Sequence, residues 1–162
     1  MNENPYAAPN ATIAAKPFAA GEIAKVYTPK QVAAGAFLGG PIGLVYFLKS
    51  NFRALGDDRR ERNALIYGAI FVIALSLVLP LLPDKFPSAP LNLAYIFFGH
   101  FFAARYQMDK QAIAASSGHD FHSNWRVVGL GLLCGVASVI VIVGVALLLS
   151  YLGLLPGWPV AE

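Results

Sequence analysis

Cysteine is nearly missing: Cys134 stands alone among 162 residues, which excludes an intramolecular disulfide and any CxxC metal or redox motif. Charge is also scarce. Asp, Glu, Lys and Arg make up 13% of the chain against 57% hydrophobic residues, and none occurs from Ala64 to Pro83 or from Val127 to Leu155. Because ~20 apolar residues cross ~30 Å of hydrocarbon, both stretches are long enough to span a bilayer, and the composition is that of a membrane protein. The first thirty residues lack a continuous apolar run, so no cleaved secretory signal is expected and the tail should stay on the mature chain. A net charge of +3, small and scattered, disfavours a nucleic-acid partner. No Ser/His/Asp, Cys/His or paired-carboxylate set falls at a common membrane depth, so no catalytic residues, no cofactor and no enzyme activity are expected.

The order of segments predicts an all-α fold, an integral membrane four-helix bundle over 28–158 behind a disordered tail, 1–27, rich in Ala, Pro and Asn. TPKQ, from Thr28 to Gln31, carries the marks of a capping box with proline at the first helical position. The helix it opens should run to about Leu55, with Gly56 as a left-handed cap. Asp57 and Asp58 are N-cap candidates for a second helix, and Ser123 or Asn124 for the last one. The spans are expected at about 31–48, 64–82, 91–106 and 127–152, with a helical extension after the third ending at Gly118. DDRRER, residues 57–62, mixes three cations with three anions and is too balanced for a polybasic lipid clamp.

Glycine is abundant where charge is not. Gly35, Gly39 and Gly43 repeat every four residues, but the first lysine after them is Lys49, too late for a phosphate-binding loop. On one helix they form a small-residue face suited to close packing, with Gly131 and Gly135 in the last span as the expected counterpart. Pro41 removes a backbone donor, so the helix must bend there and the Phe37 carbonyl needs another partner. His100 is the ionisable side chain near the middle of a predicted span. It shares a strip with Gly99, Ala103, Ala104 and Gln107, which is expected to face the bundle interior. Pro41, His100 and Gln107 are thus the candidates for a transport or polar site. His119 and His122 are weak metal candidates, for GHDFH lacks a complete zinc ligand pattern and a polar cap is the plainer reading.

The NPYAAP tail, the YTPKQVAAGAFLGGPIG start of the first span, the ALG that closes the basic loop and the SNWR start of the last span resemble a group of uncharacterised small polytopic bacterial inner-membrane proteins with an NPYxxP tail. That resemblance implies a bacterial inner membrane and carries no activity with it. Four spans would put both termini on one side. Counting Lys and Arg in the loops then places them in the periplasm. The functional expectation is a non-enzymatic accessory or scaffolding protein. Its partners would be the bilayer and either another protein or a second copy docked through the glycine faces. The alternative is a small oligomeric transporter or channel using the Pro41 kink and His100, and a weaker one is a metal-responsive protein using His119 and His122.

Overall fold

The computed structural model describes residues 23–82, 87 and 89–154. In chain order these form strand β1 (Ala24–Val26), helix α1 (Pro29–Ala54), helix α2 (Asp58–Val78) with a 3-10 turn at Leu79–Leu81, helix α3 (Ala89–Tyr106), the short helix α4 (Lys110–Ala115), strand β2 (His119–Phe121) and helix α5 (Asn124–Tyr151). Helix dominates, as expected of an all-α chain. By length and composition Pro29–Ala54, Asp58–Leu81 and Asn124–Tyr151 are apolar enough to cross a membrane. Most of the expected tail, 1–22, and part of the proline-rich link, 83–86 and 88, lie outside the described residues.

The helix ends form where the local chemistry puts them. Thr28 and Gln31 make the reciprocal capping box, with Pro29 at the first turn. Gly56 takes φ 70°, Asp57 accepts from the Arg60 N–H at 2.9 Å, and Ser123 caps α5. After α3 the expected continuous extension does not occur. The chain leaves the helix at Gln107 and restarts as α4 behind Asp109, which accepts from the Ala112 N–H.

Helix α1 is not one rod. Gly40 sits at φ 59°, ψ −148°, a region that in practice admits only glycine, and Pro41 begins a new segment with its missing N–H where none is needed. A straight helix would hold residues 27 and 51 ~36 Å apart at 1.5 Å per residue. Instead the Asn51 amide bonds both the N–H and the C=O of Tyr27 at 2.7 Å, and the Tyr27 and Phe47 rings lie 4.9 Å apart. Residues 29–39 and 41–54 are therefore the antiparallel arms of a helical hairpin. Their lengths, ~16 and ~21 Å, fall short of the ~30 Å hydrocarbon core.

This corrects the expected crossing at 31–48. The four-span bundle is replaced by a hairpin enclosed by α2, α3 and α5, and Tyr27 sits at the same end of the molecule as the loop at 55–57. The hairpin is the core: half of the apolar window of α1 is buried, against 11% for α2 and for α5. Near the open end Tyr27, Val32, Phe47, Ala103 and Val127 pack together, and closer to the apex Ala36, Leu44 and Tyr95 do so. Helix α3, 18 residues long, lies along the arms. Gly99 approaches Ala36 and Leu44 so closely that a Cβ there would touch both.

The last residues of the expected disordered tail are ordered. β1 pairs in parallel with β2, Ala24 opposite His119 and Val26 opposite Phe121. Each strand feeds a helix that starts at this end and runs the same way, the first arm of α1 in one case and α5 in the other, so the pair is parallel rather than a hairpin. On α5 only Val127, Gly131, Ser138 and Ala146 are buried. Most of its other large apolar side chains face outward, with Leu133 68% and Ile140 65% exposed. Apolar surface on that scale belongs in lipid, where small residues make the helix contacts.

Candidate functional site

The broken helix is stitched at its apex by one side chain from α5. The Ser138 hydroxyl donates to the Gly39 carbonyl at 2.7 Å and accepts from the Ile42 N–H at 3.3 Å. It thereby serves the last turn of one arm and the first turn of the other. Irregular backbone at membrane depth persists only where protein or water satisfies its polar groups, and here a serine does so. The carbonyl that Ser138 takes up is that of Gly39, not the Phe37 carbonyl expected to need a partner.

Glycine brings the backbones together around this stitch. A Cβ on Gly43 would stand 2.7 Å from the Gly35 carbonyl oxygen, and one on Gly35 would enter the Phe47 ring. These two glycines hold the arms against each other and do not share one straight face. The remaining three serve the crossing of α1 with α5: a Cβ on Gly39 would lie 2.9 Å from Cβ of Cys134, one on Gly131 would lie 3.0 Å from Cβ of Leu38, and one on Gly135 would meet the Leu38 carbonyl.

At the open end the arms are closed by a polar clasp. Besides holding Tyr27, the Asn51 amide nitrogen donates to the Gln107 side chain at 2.7 Å, and the Gln107 amide donates to the Leu48 carbonyl at 3.0 Å. Gln31 donates at 2.8 Å to the His122 carbonyl and to the Asn124 side chain, tying the first arm to α5. The Tyr27 ring stacks on His122 with centroids 4.1 Å apart, and its hydroxyl accepts from Arg126 Nε at 3.3 Å. Burial raises the Tyr27 hydroxyl above its ordinary pKa, partly offset by Arg126. It lowers the His122 imidazole, and the charges of Arg126 and Lys25 push the same way. Among the described residues no buried side-chain nitrogen or oxygen lacks a partner.

The three residues proposed for transport are not brought together. Pro41 is buried at the apex, Gln107 belongs to the clasp, and His100 is exposed on the outer surface of α3. The inward strip expected for His100 is corrected: the buried stripe of α3 runs through Tyr95, Gly99 and Ala103, four residues apart, and His100 lies one residue, about 100°, off it. His119 and His122 are engaged separately, the first with the Ser116 hydroxyl at 2.8 Å and the second with Tyr27. No group of three or more His, Cys, Asp or Glu forms among the described residues.

Sequence reasoning missed Asn51 and Tyr27 as partners. Asn51, flanked by Lys49, Ser50 and Arg53 near a helix end, reads as an ordinary polar residue, and its mate 24 positions away appears only once the chain folds back. No protein-family profile, no curated protein and no solved structure matches this chain.

Proposed function

We propose that the chain is a non-enzymatic membrane protein of the bacterial inner membrane that acts as an accessory or scaffolding component. In this reading the hairpin is a rigid internal brace around which three helices present their outer faces. The carrying observation is that the broken backbone at the apex has its Gly39 carbonyl and Ile42 N–H bonded by Ser138 from within the protein. His100 on the outer surface and Gln107 inside the clasp leave transport without a continuous polar route.

Orientation follows from charge. Every Lys and Arg among the described residues lies at the clasp end, in β1, the ends of α1 and α3, the start of α2, α4 and the first turn of α5. The positive-inside rule puts that end in the cytoplasm. β1 then lies on the cytoplasmic side and α5 ends in the periplasm, in place of two periplasmic termini. Proteoliposomes of the full chain should pass protons and small ions no faster than empty vesicles. Flux that falls in His100→Ala or Pro41→Ala would overturn the scaffolding reading in favour of transport.

A further inference from the structure

Helices α2 and α3 both pack on the second arm of the hairpin and leave between them a groove of about 600 Å³. Its floor includes Leu44 and Leu48, and its walls include Phe71 on α2 and Phe98 on α3. Polar groups gather at one end, where Arg60 and Asn63 sit beside Tyr106. From Arg60 to Phe71 the groove runs eleven residues, ~16 Å along α2, from the charged end of the molecule toward the middle of the hydrocarbon.

We propose that this groove binds one acyl chain of an anionic phospholipid, with the lipid phosphate on Arg60. The guanidinium is placed for this. It lies 5.4 Å over the Tyr106 ring and is held by Asp57 at 3.2 Å with its side chain half exposed, so N–H groups remain for a phosphate. Charge complementarity favours an anionic lipid. Ten Lys and Arg stand against five Asp and Glu among the described residues, all at the clasp end, so the field there attracts negative headgroups. A lipid presents its phosphate at the level of Arg60 and its chain at the level of Phe71 and Phe98, in the same order as the polar and apolar ends of the groove. Balanced charge in DDRRER argues against a diffuse basic clamp and is compatible with one cation seated at a slot. The inference goes beyond the scaffolding role and requires only that the chain lie in a bilayer.

The test is native mass spectrometry of the full chain released from nanodiscs of equimolar phosphatidylglycerol and phosphatidylcholine. One lipid should stay bound, with phosphatidylglycerol preferred by up to about fivefold, the scale of one cation at a membrane surface, part of which Asp57 offsets. Arg60→Gln should bring the ratio close to one while retention persists, and Lys110→Gln, outside the groove, should leave it unchanged. Ala64→Trp, which fills the groove, should abolish retention of both lipids, with helical content by circular dichroism as the folding check. If Ala64→Trp does not fold, the headgroup ratio of Arg60→Gln decides alone. Equal retention of the two lipids by the unaltered chain, or a ratio indifferent to Arg60→Gln, means an unspecific annular lipid only and overturns the proposal.

Discussion

Helices α1 and α5 have nearly the same length, 26 and 28 residues, yet they live in opposite surroundings. The richest apolar window of α5 has a mean hydropathy of 3.0 and is 11% buried; that of α1 has 1.5 and is half buried. The helix made of the more apolar residues is the one left to the lipid. The less apolar one, with its glycines, Asn51 and a proline, is wrapped by protein. In a bilayer this order is expected, because hydrophobicity selects contact with lipid while close approach and hydrogen bonds select contact with protein.

Substitutions at glycines of the two helices should break the comparison most sharply. Gly35→Leu drives a side chain into the Phe47 ring between the arms and should cost about 3 kcal/mol or prevent folding. Gly144→Leu on α5, where an added Cβ meets nothing within 4 Å, should leave detergent thermal stability unchanged or slightly higher. Next in size is Asn51→Ala. It strands the buried N–H and C=O of Tyr27, and at ~1–3 kcal/mol for an unsatisfied buried group it should lower the melting midpoint and speed hydrogen exchange at residues 24–30. Ser138→Ala removes the stitch at the apex and should cost about 1–2 kcal/mol, with exchange enhanced at Ile42 and not at the clasp.

The smallest effect is one of pH at the clasp. His122 is held below its ordinary value of 6.5 by burial first and by Arg126 and Lys25 second. The unfolded chain therefore takes up its proton at a higher pH than the folded one. The contribution of His122 is complete above pH 6.5 and is lost as pH falls through the folded value. A melting series from pH 7.5 downward should show this loss, and His122→Phe, which keeps a ring against Tyr27, should flatten that part of the profile.

Much of the architecture could be read from the chain because it is written locally. The capping box at Thr28, the Gly56 and Asp57 boundary and the serine before α5 each depend on residues within four positions. The close approach of glycines was legible too, since the smallest residues let backbones meet in lipid. What stayed hidden is the direction of the chain after Gly40. Pro41 announces a bend, but a kink and a reversal differ only in the φ and ψ of one glycine. The bonds that distinguish them, Asn51 to Tyr27 and Ser138 to Gly39, link residues 24 and 99 apart. His100 was misplaced for a related reason: with Gly99 beside it, a shift of one residue on α3 decides between core and lipid.

The claim on which the rest depends is that the first apolar segment turns back on itself. Spin labels on cysteines placed at Lys30 and Arg53, both exposed, in a Cys134→Ala background, report it directly by pulsed dipolar spectroscopy in nanodiscs. Adjacent antiparallel arms, with axes ~8–10 Å apart, predict a label distance under about 20 Å. A continuous helix places the same positions ~35 Å apart, and a distribution centred there would contradict the hairpin.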